Sequence, residues 1–239
     1  MKHEATEELG VWLLGERAGT LWIEGGRLRF RYDTHWLKSS GVMALSQSLP
    51  LQVEAFDDQV CRPFFAGLLP EGDLRRRIAQ QCQLSRANDF GLLAAIGGDC
   101  AGAVSLTPDD QAPEPAEVEW LSPTQLSELL AELPQRPMLA QRDGLRLSLA
   151  GAQDKLPVVV EGQRLGLPKG SAASTHILKP AIAAVDNSVT NEAFCMALAK
   201  RMKLQVADTQ ILMAGDQRIL LVLRYDRRRT GDGAWSHLS

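Results

Sequence analysis

Between Asp109 and Glu119 the chain carries Asp109, Asp110, Glu114 and Glu117 together with Pro113 and Pro115, and Val118 is its only large apolar side chain. Such a stretch has no face to bury and lacks backbone donors at its prolines, so it reads as a loop or boundary. It predicts two units: residues 1–108, a linker at 109–120, and residues 121–239. A chain of 239 residues, 45% hydrophobic and 23% charged, can fill two such units with ordinary globular cores. The net charge of −3 gives no general basic excess that would make nucleic acid the main partner. The apolar runs, such as Leu220-Leu221-Val222-Leu223, are far shorter than a bilayer span. Met1-Lys2-His3-Glu4 leads into acidic residues and not into an apolar signal core. Cys61, Cys82, Cys100 and Cys195 have no C-x-x-C spacing and no nearby histidine, which speaks for reduced thiols and against zinc. The expectation is a soluble cytoplasmic protein with no membrane partner.

Ahead of the break, residues 11 to 32 read as an antiparallel meander. Val11 to Leu14 forms a short strand and Gly15 to Gly19 a turn. Leu21 and Ile23, then Leu28, Phe30 and Tyr32, alternate on either side of Glu24-Gly25-Gly26. From Cys61 the period becomes helical: Phe64, Phe65, Leu68 and Leu69 precede Pro70, and Leu74 and Ile78 continue beyond it. Asn88-Asp89 then caps a helix through Phe90, Leu92, Leu93 and Ile96, which Gly97-Gly98 stops. Trp12, Trp22 and Trp36 are assigned to core and rim.

Beyond the break, Ser122-Pro123-Thr124-Gln125 places a capping residue, a proline at the first helical position and a Gln three residues past the cap. Leu126, Leu129, Leu130 and Leu133 follow at helical spacing up to Pro134. The remainder reads as strands at 145–149, 156–160, 176–179 and 218–224 around one helix at 191–204. The fold class is α+β.

Two places can carry chemistry. Ser148-Leu149-Ala150-Gly151-Ala152-Gln153-Asp154-Lys155 is a small-residue loop whose backbone N–H groups can approach a phosphate, although one glycine fits an ordinary hairpin equally well. Lys179 ends an apolar strand, where a half-buried ammonium is costly without an anion, and Glu192 opens the next helix within reach of it. A strand lysine oriented by a helix glutamate is how protein kinases hold nucleotide phosphates. Small-residue loop, strand lysine, helix glutamate and then an apolar strand into Tyr225 is the order of a kinase N-lobe. Leu223 to Tyr225 falls where the adenine-contacting hinge belongs.

Several longer motifs occur in the same order: SLPL at 48–51, FFAGLLPEG at 64–72, GGDCAGAVSL at 97–106, SLAGAQDK at 148–155, THILKP at 175–180, NEAFCMALA at 191–199 and RYDRR at 224–228. Together they resemble the HipA family, serine/threonine kinases that act as toxins of bacterial toxin–antitoxin systems. The resemblance implies a small barrel-like N-terminal subdomain over residues 11–108 and a kinase-like N-lobe, an antiparallel sheet plus an αC-type helix, after it. It implies ATP and Mg2+ as cofactors. Ser148 matches the autophosphorylated loop serine, Ala150, Gly151, Ala152, Gln153 and Lys155 the phosphate cover, Lys179 the phosphate contact, Glu192 the lysine-orienting group, and Leu223 and Tyr225 the hinge. It also implies a HipB-like helix-turn-helix antitoxin, operator DNA reached only through that antitoxin, and a translation factor such as glutamyl-tRNA synthetase as substrate.

In kinases the catalytic and metal-binding aspartates lie well past the hinge, and only residues 226–239 follow Tyr225 here. A C-lobe needs roughly 100–200 residues more. Asp226 belongs to the hinge motif and Asp232 to a glycine-flanked turn, so neither is assigned the catalytic or metal role. The expectation is nucleotide gripping without phosphoryl transfer. The alternative is a non-catalytic binding module or split-kinase subunit that docks an antitoxin or a separate C-lobe. Asp89-Phe90-Gly91 spells the kinase metal-binding tripeptide, but it precedes the loop and is read as a helix cap. Arg75-Arg76-Arg77 and Arg227-Arg228-Arg229 are read as solvated faces ahead of the alternatives of phosphate contact and, for the second run, a partner- or DNA-facing surface. His3, His35, His176 and His237 are scattered and carry no catalytic assignment.

Overall fold

The computed structural model describes residues 8–100, 103–108, 111–140, 142, 145–229 and 235–237, so His3 and Asp232 lie outside the described residues. The chain first folds β1 (Glu8–Leu13), β2 (Glu16–Glu24) and β3 (Arg27–Tyr32) into the expected meander. Four helices follow: α1 (Thr34–Lys38), α2 (Asp58–Gly67), α3 (Gly72–Gln81) and α4 (Asp89–Ile96). The chain then returns as β4 (Val104–Pro108) beside β1. The resulting four-stranded antiparallel sheet runs β3-β2-β1-β4 and is open, so the α+β class stands without a closed barrel. Helices and loops cover its inner face instead. Leu9, Val11, Leu21, Leu28 and Phe30 pack on Phe65, Leu74, Ile78 and Leu93, all fully or nearly fully buried. The Phe30 ring lies 4.9 Å from Tyr32 and 5.3 Å from Phe65. Such contacts add about 0.5–1.5 kcal/mol per pair beyond area burial. Trp36 is buried and Trp12 and Trp22 are half-buried, core and rim as read.

One turn falls elsewhere than expected. The reversal is at Leu14 and Gly15, both at positive φ, and Gly19 lies inside β2 opposite Tyr32. A Cβ on Gly19 would sit 2.3 Å from the Arg31 carbonyl, so this glycine permits close approach of two strands. At α4, the Asn88 side chain accepts from Gly91 N–H at 2.9 Å, and Asp89 in the first turn pairs with Arg62 and Arg75. The Asp-Phe-Gly tripeptide is a helix start held by ion pairs.

The second sheet is built from β5 (Glu117–Leu121), β6 (Leu156–Glu161), β7 (Arg164–Lys169), β8 (His176–Pro180), β9 (Thr209–Ala214) and β10 (Gln217–Leu223), in the antiparallel order β5-β7-β6-β8-β10-β9. The end of the acidic stretch, from Glu117 on, is therefore itself an edge strand. Helix α5 (Pro123–Glu132) starts with the full capping box: Ser122 Oγ accepts from Gln125 N–H at 3.2 Å, and Gln125 Oε1 accepts from Ser122 N–H at 2.8 Å. Leu129, Leu130 and Leu133 cover one sheet face against Leu156, Val158, Leu178, Ile219 and Leu221. Helix α6 (Ser188–Arg201) lies over β9 and β10. Phe194 and Leu198 along it and Met202 at its C-cap stay exposed, as do Ile211 and Met213 on β9. A last hairpin pairs β11 (Arg227–Arg229) with β12 (Trp235–His237). The segment 145–149, expected as a strand, makes one parallel bridge from Leu147 to Asp99 and joins neither sheet.

Candidate functional site

Lys179 is placed by strand alternation. Leu178 points into the α5-side core opposite Leu221, and the next residue, Lys179, sits opposite Leu220 on the α6 side. Its Nζ meets Glu192 Oε1 at 2.5 Å, with both side chains partly buried. The pair anticipated from spacing is therefore formed, and it satisfies an ammonium that would otherwise lie unpaired on a sheet face.

The small-residue loop is folded against the N-terminal unit. Ser148 is 0% exposed, donates its Oγ–H to the Leu68 carbonyl at 2.7 Å and its N–H to the Asp99 carbonyl at 2.9 Å. Gly151, at φ 107°, bridges Pro70, and its carbonyl accepts from Glu71 N–H at 3.2 Å. Asp154 pairs with Arg77 of α3 at 2.7 Å, and Gln153 Nε2 donates to the Pro180 carbonyl at 3.4 Å, which brings the loop to the end of the lysine strand. Ala150 turns its carbonyl to Lys155 Nζ, and a Cβ on Gly151 would lie 2.7 Å from the same ammonium. Ala152 lines a cavity of about 970 Å3 between the loop, α5 and the start of α6, whose wall does not include Lys179 or Tyr225. Burial lowers the Lys155 ammonium from its ordinary value, and the Lys179 charge lowers it further, against a smaller opposing effect of Glu71.

The segment expected as the hinge lies at the other end of β8. Leu223 pairs with His176, three residues along β8 from Lys179, or about 10 Å at strand rise. Tyr225 is 85% exposed, between two buried arginines. Arg224, 4% exposed, holds Asp226 through two bonds at 3.0 and 2.7 Å and donates to Ser174 Oγ at 2.8 Å. Arg227, 5% exposed, reaches Asp99 Oδ1 at 3.2 Å, Asp226 Oδ2 at 2.9 Å and the Ser174 carbonyl at 2.9 Å. The reading of both arginine runs as solvated faces is corrected here: Arg227 is buried in ion pairs, and Arg75 and Arg77 hold Asp89 and Asp154. Arg76, paired with Asp73 at the surface, and exposed Arg228 match that reading. Sequence reasoning passed over Asp99, Ser174 and Arg224. The available signal was the buried company of Asp99 in Gly97-Gly98-Asp99-Cys100 and the position of Arg224 at the end of an apolar strand.

Residues 9–107 match the family model described as the HipA N-terminal domain, and residues 147–238 match the HipA-like C-terminal domain. The chain belongs to the HipA family. It is 45% identical over 232 residues to putative kinase Y4mE of Sinorhizobium fredii, covering 94% of this chain and 55% of that protein. It is 30% identical over 197 residues to the serine/threonine-protein kinase toxin HipA of Shewanella oneidensis, covering 82% of this chain and 44% of that protein. The solved complex of Shewanella oneidensis HipA with HipB and operator DNA matches with a TM-score of 0.76 at 28% identity, over 96% of this chain and 53% of that one. The chain thus spans about half the length of the curated relatives it matches.

Proposed function

We propose that these residues form the nucleotide-holding part of a HipA-type serine/threonine protein kinase toxin. The observation that carries the reading is the Lys179–Glu192 ion pair at the end of β8, where the small-residue loop reaches the same strand through Gln153 and Pro180. The residues fit a nucleotide. Ala150, Gly151, Ala152 and Gln153 offer backbone close to an incoming phosphate, and Lys155 and Lys179 supply charge. Glu192 keeps Lys179 aimed, and Leu223 and Tyr225 offer the edge against which a base rests. Bound Mg-ATP supplies the transferable phosphoryl group. No group of three His, Cys, Asp or Glu side chains that would hold a metal ion occurs among the described residues.

Ser148 is the proposed acceptor of autophosphorylation, and its hydroxyl must leave the Leu68 carbonyl to be modified. The exposed apolar face of Phe194, Leu198, Met202, Ile211 and Met213 favours a second protein surface seated on α6 and β9, supplied by the remaining half of a kinase in the same or a separate chain. That observation also supports the binding-module reading. A HipB-like antitoxin, operator DNA through it, and a translation-factor substrate such as glutamyl-tRNA synthetase are proposed with the family assignment, as is action in the cytoplasm. No helix among the described residues is long and apolar enough to cross a membrane. The 239 residues alone are expected to grip Mg-ATP weakly and to transfer nothing. Incubation with γ-labelled ATP checks this, and label recovered on Ser148 would overturn it.

A further inference from the structure

Asp99 occupies a singular place in the two-unit arrangement. It follows α4 in the N-terminal unit, yet its backbone and side chain serve opposite ends of the proposed nucleotide site. Its carbonyl accepts from Ser148 N–H at 2.9 Å and its N–H donates to the Arg146 carbonyl at 2.8 Å, which fixes the root of the phosphate loop. Its carboxylate meets Arg227 at 3.2 Å, accepts from Ser174 Oγ–H at 2.8 Å and lies 3.7 Å from Arg224. Arg224 also donates to the Cys100 carbonyl at 3.4 Å. Asp99 is 8% exposed, and with Asp226 it balances the charge of two arginines that are nearly out of solvent. Burying two guanidinium groups so deeply is tolerated only with well-placed anions, and removing one anion strands a buried cation. Between those arginines in sequence stands Tyr225, 85% exposed.

We infer that Asp99 is a positioning residue of the nucleotide site, through which the N-terminal unit sets the hinge at residues 223–227. The inference rests on the nucleotide reading for its purpose and on the ion-pair geometry for its mechanism. Because the carboxylate touches the hinge side while the phosphate loop hangs on the backbone, replacing the carboxylate should disturb base recognition and spare phosphate recognition.

The test is Asp99→Asn in the 239-residue chain, titrated calorimetrically with Mg-ATP and with inorganic tripolyphosphate plus Mg2+. The Kd for ATP is expected to rise on the order of tenfold, within the usual range for coupling between sites, with the tripolyphosphate Kd unchanged. Equal losses for both ligands, as general destabilisation would give, or an unchanged ATP Kd, overturns the inference. Ser174→Ala, which removes the hydroxyl between Asp99 and Arg224 without stranding a charge, should give the same pattern with smaller amplitude and serves if Asp99→Asn does not fold. If the unsubstituted chain binds neither ligand, the nucleotide reading fails by itself. Hydrogen exchange then decides the positioning claim. The amides of Leu223 and Arg224, which donate to Asp208 and Thr175 carbonyls at 2.8 and 3.0 Å, should exchange faster in Asp99→Asn while those of α5 do not. Unchanged exchange at both overturns it.

Discussion

Arg146 joins the two units by a device whose strength can be worked out. Its guanidinium donates to the Leu106 carbonyl at 2.8 Å and to the Leu93 and Ala94 carbonyls at 3.2 and 2.6 Å. It thus caps the C-terminus of α4, where the helix dipole favours a cation. Burial lowers the guanidinium pKa from its ordinary value. In Arg146→Met the aliphatic stem survives and the three bonds are lost. Leu93 keeps Gly97 N–H at 2.8 Å, so two carbonyls, those of Ala94 and Leu106, lose the donor that Arg146 gave them. At about 1–3 kcal/mol for each buried acceptor left unmet, the raw loss is about 2–6 kcal/mol. Relief from desolvating the guanidinium offsets part of this, leaving about 2–4 kcal/mol. For a chain of this size that lowers Tm by roughly 5–15 °C. Urea unfolding followed by circular dichroism measures it, with Arg146→Lys expected between the two because an ammonium reaches fewer of the carbonyls. A loss below about 1 kcal/mol in Arg146→Met would refute the reasoning, since the carbonyls would then have found other partners.

Gly19→Ala should cost about 3 kcal/mol in the same assay, because its methyl carbon would lie 2.3 Å from the Arg31 carbonyl and 2.8 Å from the Phe30 ring; a near-neutral result would contradict the strand approach described. His176 is held below its ordinary value by burial. Its neutral form is favoured in the fold, so its contribution to stability is present above pH 6.5 and is lost as the pH falls from there through the lower folded value. Unfolding free energy measured between pH 7.5 and 5.5 should therefore fall less steeply in His176→Gln, by at most about 1.4 kcal/mol per pH unit. Equal slopes would count against the assignment.

The elements that the sequence disclosed are those whose signal is local. The capping box at Ser122 and Gln125, the Asn88 cap, and the leucine stripe from Leu126 to Leu133 each need only neighbouring residues to be read. The Lys179–Glu192 pair was legible too, because a strand ending in lysine and a helix opening with glutamate leave few other partners. Strands β4, β5, β7 and β9 were not. In β7, Gly166 and Pro168 break the expected pattern, and Gly166 is there because Val118 and the Glu119 carbonyl approach within 2.6 and 2.9 Å of where its Cβ would be. Gly19 misled for the same reason: a glycine required by a neighbouring strand looks like one required by a turn. The Asp99 network joins residues up to 128 apart in sequence, and nothing near Arg227 distinguishes a buried arginine from the solvated run it resembles.

The central claim is that Lys179, aimed by Glu192, grips nucleotide phosphates. Calorimetric titration of Mg-ATP into the 239-residue chain, and into Lys179→Ala and Glu192→Gln, tests it most directly. The account predicts saturable binding that Lys179→Ala abolishes and Glu192→Gln weakens, all three proteins keeping their fold by circular dichroism. Binding of equal strength in all three would contradict it, as would no binding in the unsubstituted chain.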